Sequence, residues 1–209
     1  MTRHHDDSRR RALGRGAALL LGVAGSRLAA AALAPTPAQS LGPFYPRVLP
    51  TDRDNDLVRI AGRDRPAKGT VAFVAGRVTD TQGTPVADAL IEIWQCDVHG
   101  RYLRPADDGP GPRDDEFQGY GQARSEATGA YEFRTIRPVP YSGRPPHIHF
   151  QVTHPRHPKL VTQLYARAEG QGSAAGYGHE ASYRALWVEF APTNREAGAV
   201  AARFDIVLG

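Results

Sequence analysis

The sequence predicts an all-β protein: an antiparallel β-sandwich core with long irregular loops and an N-terminal arm. From Thr70 onward, short apolar stretches recur between Gly- and Pro-rich turns, and no sustained helical period interrupts them. Gly 22 and Pro 17 in 209 residues, with aromatics at 8%, suit a loop-rich β protein better than a helical one. The length allows one domain with a sizeable core and is short for two.

Residues 1–38 read as an export signal. Ser8-Arg9-Arg10-Arg11-Ala12-Leu13 opens a charged segment, Gly16 to Gly25 is apolar, and Ala29 to Ala34 offers small residues for cleavage. The paired arginines resemble the twin-arginine type, which exports folded proteins. Arg27 interrupts the apolar stretch, so a spanning helix of about 20 residues is not expected. The predicted location is therefore outside the cytoplasm, with no membrane span in the mature chain.

Residues 39–70, rich in Pro, Asp and Arg, are expected to form the irregular arm, and residues 71–209 the sandwich. Val71–Val78 reads as the first strand and Asp80-Thr81-Gln82-Gly83 as a turn. Ala89–Trp94 is the second. Thr128-Gly129 turns into Tyr131–Ile136, where Tyr131 and Phe133 share one face. His147–Thr153, Leu160–Tyr165 and Arg203–Leu208 complete the strands. Tyr183–Val188 fits a short helix and a strand equally well.

The formal charge of +4 resides in the leader, where six arginines face two aspartates. The remaining 20 basic and 20 acidic residues cancel, which leaves no electrostatic footprint for nucleic acid. The single cysteine, Cys96, excludes an intrachain disulfide and any Cys-x-x-Cys site.

The sharpest chemical signal is Arg144-Pro145-Pro146-His147-Ile148-His149-Phe150. In a strand, His147 and His149 point to one face and Ile148 and Phe150 to the other. Two imidazoles about 7 Å apart along the backbone can converge on one ion. Zinc, copper, nickel and iron all accept imidazole, so another donor must choose among them. Tyr141, six positions before His147, and the earlier Tyr102 are the candidates. A phenol has a pKa of about 10 and ligates once a strong cation has ionised it. Two phenolates are hard anionic donors and favour Fe(III).

Taken together, Gly119-Tyr120-Gly121, Thr128 through Tyr141 and Arg144 through Phe150 resemble the core signature of the intradiol ring-cleavage dioxygenases, most closely the protocatechuate 3,4-dioxygenase branch. Gly76-Arg77-Val78, Ile93-Trp94-Gln95, Gly100-Arg101-Tyr102, Thr36-Pro37-Ala38-Gln39, Gly42-Pro43-Phe44-Tyr45-Pro46 and Arg203–Leu208 resemble the same family. The resemblance implies that Tyr102, Tyr141, His147 and His149 ligate one Fe(III) per chain, with a solvent hydroxide in a fifth position. It implies that Tyr141 is the ligand released when substrate binds, that Arg144 stabilises negative charge on the bound ring, and that Gln163 is a second polar residue of the pocket. The expected activity is O2-dependent cleavage of a catechol between its two hydroxylated carbons, giving a cis,cis-muconate-type diacid. The partners it implies are a catecholic small molecule and O2, and the family's habit of assembling allows a homo-oligomer.

The sequence departs from the family at three places. Leu41 stands where exported members carry an acidic residue. Cys96 replaces a small residue, and the Tyr141–His147 loop is shorter than in protocatechuate enzymes. The Leu103–Glu116 segment, rich in Pro, Gly and Asp, is expected to shape the pocket mouth. A non-catalytic transthyretin-like binding module is the alternative, because Val78-Thr79-Asp80 through Val86 resembles the strand-turn-strand opening of such modules.

Overall fold

The computed structural model describes residues 31–103, 111–167 and 181–209. Most of the leader, and residues 104–110 of the expected pocket-mouth segment, lie outside the described residues. The strands are β1 (Val71–Asp80), β2 (Leu90–Trp94), β3 (Tyr120–Arg124), β4 (Ala130–Ile136), β5 (His147–His154), β6 (His157–Ala166), β7 (Trp187–Val188), β8 (Ala191–Pro192), β9 (Val200–Arg203) and β10 (Ile206–Leu208). The segment that fitted helix and strand equally is both: a 3-10 helix at Ala181–Leu186 runs into β7.

Two five-stranded sheets result. In the first, β1 pairs antiparallel with β4 and parallel with β9 and β10, and β8 joins β9. The second has the order β3-β2-β5-β6-β7, antiparallel except for the last pair. The sandwich expectation holds, but the sheets are mixed rather than antiparallel. The C-terminal segment runs along β1 in the same direction as β1 itself.

That segment was expected as one strand and is two. At Phe204 the backbone presses against Gly76, where an added Cβ would lie 1.9 Å from the Phe204 carbonyl oxygen. The close approach demands glycine. Phe204 N–H donates to the Ala75 carbonyl, and the Asp205 carboxylate accepts from Arg77 N–H at 2.9 Å.

The main core lies between the sheets. Val74, Val78, Tyr131 and Phe133 face Ile91, Ile93, Ile148, Phe150 and Leu164. Burying each aliphatic or Phe side chain contributes about 1.5–3 kcal/mol. Alternation sends Glu92, Trp94, His147, His149, Gln163 and Tyr165 to the other face of the second sheet. A smaller aromatic cluster of Trp94, Tyr102 and Tyr120, flanked by Phe44, Tyr45, Leu103 and Tyr141, covers that face.

The arm closes this layer. It has no strand or helix among its described residues, as expected, yet it is tied down along its length. Within it, Gln39 N–H donates to the Val161 carbonyl, and just ahead of it, in the stretch expected as leader, Leu33 N–H donates to that of Thr81. Thr36 exchanges two hydrogen bonds with Val207: its N–H donates to the Val207 carbonyl at 3.0 Å, and its Oγ1 accepts from Val207 N–H at 2.8 Å. Farther on, Leu57 is buried in the main core. Asp56 accepts both oxygens' worth of contact from Arg134, which also forks onto Glu196.

Candidate metal centre

Two adjacent rows of the second sheet build the floor of the site. Register places Tyr120, Trp94, His149 and Gln163 side by side, with His147 opposite Tyr165 in the next row. The i, i+2 spacing of His147 and His149 thus gives one shared face, as the sequence required, and their ring centroids lie 4.9 Å apart.

Two loops lower tyrosines onto this floor. After β2, the Asp97 carboxylate accepts from the N–H groups of His99, Arg101 and Asp114, a side-chain-driven turn that delivers Tyr102. Gly100, at φ +78, completes that turn; a Cβ there would lie 3.2 Å from Tyr141 Cβ. The second loop turns at Ser142 (φ 43) and Gly143 (φ 75), where Arg144 N–H donates to the Tyr141 carbonyl at 2.7 Å. Two successive positive φ values define a tight hairpin turn, so Tyr141 and Arg144 sit opposite each other.

All four expected donors converge. The Tyr102 ring lies 5.1 Å from Tyr141 and 6.0 Å from His149, and the Tyr141 ring lies 5.4 Å from His147. Tyr102 Oη is 3.4 Å from His147 Nε2. Tyr102, His147 and His149 are 2%, 1% and 1% exposed, whereas Tyr141 is half-buried.

The nitrogens are prepared to ligate. His147 Nδ1 lies 2.7 Å from the Pro145 carbonyl. That acceptor requires a proton on Nδ1, which leaves the Nε2 lone pair for the site. Both ring nitrogens of His149 are buried with no hydrogen-bond partner. An unsatisfied buried polar atom is costly unless something else occupies it, and a metal ion answers that need. Burial, helped by Arg144, holds the His147 pKa down to about 4 against the pull of the Pro145 carbonyl. Burial, then His147 and Arg144, hold His149 well below the ordinary imidazole value. Both are therefore neutral, as ligation requires. Burial, with Cys96 and Tyr141 next in effect, pushes the Tyr102 phenol far upward, so it ionises only against a bound cation.

Among the described residues no cluster of three or more His, Cys, Asp or Glu side chains could hold a metal. An ion here needs the phenols, which disfavours a zinc or copper centre of ordinary composition. The donor set fits one hard, oxidised ion.

Arg144 and Gln163 stand beside these side chains. Arg144 Nη2 donates to Gln163 Oε1 at 2.7 Å and to Tyr165 Oη at 3.3 Å. The structure adds residues that the motifs did not single out for the site. Tyr165 Oη contacts Gln163 Oε1 at 3.0 Å and Gln39 Oε1 of the arm at 3.1 Å. Phe44 stacks on Tyr102, centroids 4.4 Å apart and planes 6° apart. Gly42 packs 3.4 Å from His149 Cε1. Tyr165 was reachable from the sequence, because it lies two residues beyond Gln163 on the same strand face. Leu41, the first departure, is exposed, and Cys96 is buried with its Sγ 3.8 Å from the Val139 carbonyl.

The dioxygenase family model matches residues 41–208 of the chain. The protocatechuate 3,4-dioxygenase beta chain of Burkholderia cepacia is 34% identical over 188 residues, covering 82% of this chain and 74% of that protein. Catechol 1,2-dioxygenase of Candida albicans is 35% identical over 144 residues, covering 60% of this chain but only 45% of the relative. Among solved structures, the dioxygenase domain of a dioxygenase–carbohydrate-binding fusion from Streptomyces sp. SirexAA-E superposes with a TM-score of 0.62 at 29% identity, covering 84% of this chain and 98% of that one.

Proposed function

Because the chain belongs to the intradiol ring-cleavage dioxygenase family, we propose that it is a non-haem Fe(III) enzyme opening a catechol-type ring between its two hydroxylated carbons with O2, to a cis,cis-muconate-type diacid. The observation that carries this is the pairing of a buried His149 with two partnerless nitrogens and two phenols converging on the same point. The relatives reported above are dioxygenases, and none supports the non-catalytic transthyretin-like module.

Tyr102, Tyr141, His147 and His149 would hold one iron per chain. When bound, Fe(III) supplies a Lewis acid and an electron sink for a catecholate, which readies the ring for O2. The residues around it do the rest. Tyr141, the half-exposed donor, would take up a proton from an entering catechol hydroxyl. Arg144 directs a guanidinium at the site to hold negative charge that develops on the ring. Gln163 fixes that guanidinium by accepting its hydrogen bond. Neutral His147 and His149 leave the site's charge to the phenolates and the substrate.

Oxygen uptake by iron-loaded protein against a panel of catechols tests the reading, with the product's ring position determined. Intradiol diacids and a visible phenolate-to-iron colour are expected. A colourless iron-loaded protein, or cleavage outside the diol, overturns it.

The same proposal includes export by a twin-arginine signal, supported by Arg9-Arg10-Arg11 and the apolar run that follows. Replacing Arg9 and Arg10 with lysine should retain the protein in the cytoplasm; unaltered export sinks this part.

A further inference from the structure

Trp94 connects the metal centre to a second group of oxidisable rings that the mechanism does not use. Its indole lies on His149, centroids 4.8 Å apart and planes 8° apart. The Tyr45 ring meets Trp94 edge-on at 5.0 Å, and Tyr120 meets Tyr45 at 6.2 Å. Trp94 and Tyr120 are fully buried, while Tyr45 is half-exposed, so the series runs from the site to solvent.

Glu92 lies at the outer end. It is 6% exposed, and its carboxylate accepts from Tyr45 Oη at 2.8 Å, Tyr120 Oη at 2.5 Å and Gln151 Nε2 at 2.6 Å. All three donors are neutral. Burying a carboxylate without a cation is expensive, and fastening the arm to the sheet would need only a neutral acceptor. A carboxyl group does what an amide acceptor does not: it can receive a phenol's proton.

We propose that Trp94, Tyr45, Tyr120 and Glu92 form a protective relay, which draws one-electron oxidising equivalents away from the metal ligands and leaves them as a phenoxyl radical at Tyr45. The proposal rests on the iron reading above and extends it. In each event one electron leaves Tyr45 through Trp94 to the oxidant beside His149, and the hydroxyl proton moves to Glu92. Tyr45–OH and the carboxylate become a neutral phenoxyl radical and a carboxylic acid. For a hydroxyl radical as oxidant, one such event and one proton from solvent give one water. Burial and Glu92 hold both phenol pKa values above the ordinary one, so neither proton leaves without the electron.

The test uses the iron-loaded protein treated with hydrogen peroxide. Freeze-quench electron paramagnetic resonance and peptide mass spectrometry are read alongside iron content and oxygen uptake with catechol. A tyrosyl signal with oxidation at Tyr45 is expected. Tyr45→Phe, which keeps the ring, should abolish that signal and raise oxidation of the Trp94 and Tyr102 peptides severalfold. Trp94→Phe and Glu92→Gln should each weaken the signal. If Tyr45→Phe loads iron poorly, the oxidised positions in the wild-type protein decide. Iron-loaded, catechol-cleaving protein that is oxidised only at its ligands, or equally with and without the Tyr45 hydroxyl, overturns the relay alone. Protein that takes up no iron overturns the relay and the proposed function together.

Discussion

Trp94 lies flat on His149, 4.8 Å away, in the neighbouring strand of the same sheet row. The indole covers one face of the imidazole, so the ring cannot swing out of the donor plane without lifting a fully buried Trp. The orientation of an imidazole with no hydrogen bond of its own is set by packing.

Trp94→Ala should therefore act twice. Thermal unfolding of the metal-free protein should show a loss of about 3–5 kcal/mol for the missing core aromatic. Iron affinity should fall about 10- to 100-fold, as when a metal ligand loses its outer support. Chelator competition separates the two effects. Unchanged affinity would show that Trp94 does not orient His149.

Metal-free protein should lose stability as pH falls from about 6.5 to about 4, reading from the ordinary histidine value to that of buried His147. In that window the unfolded chain binds a proton that the folded state refuses, so unfolding free energy rises with pH. The contribution from His147 is on the order of 3 kcal/mol, and His149 shifts in the same direction. Urea melts at pH 4.5 and pH 7 check it. The slope should largely vanish in His147→Gln with His149→Gln.

Arg144→Ala should lower kcat by about 10²- to 10³-fold, the usual effect of removing one charge-stabilising donor, while iron content and colour persist. Tyr165→Phe should cost about fivefold in kcat/KM, equivalent to one hydrogen bond of about 1 kcal/mol. Oxygen-uptake kinetics measure both. Loss of iron in either variant would instead place these residues in metal retention.

Gly76→Ala should destabilise the fold by about 3 kcal/mol through forced displacement of packed backbone, because its Cβ would collide with the Phe204 carbonyl. Thermal melts report this. A neutral effect would show that the β9–β10 junction yields easily.

The site was more legible than the sheets. Period-2 alternation alone puts His147 and His149 together, and it also brings Tyr165 in beside Gln163. What alternation cannot show is pairing partner or direction, so the parallel run of β9 and β10 against β1 had no local signal. β3 escaped for a related reason: Gly121 weakens the strand pattern, yet it is needed because a Cβ there would lie 2.5 Å from Leu57 Cδ1 and 2.6 Å from the Asp54 carbonyl. The arm's route is thus imposed by a strand far away in sequence. The expectation of an irregular arm was right about its backbone, but not informative about Gln39, Phe44 and Gly42, whose roles come from where the chain is pinned.

The paired hydrogen bonds between Thr36 and Val207 couple the stretch ahead of the arm to β10. Gln39 N–H is held separately by the Val161 carbonyl, so the segment bearing Gln39, Gly42 and Phe44 is fastened to β6 as well as, through Thr36, to β10. A lesion in β10 would therefore loosen the chain ahead of the arm while leaving Phe44 stacked on Tyr102.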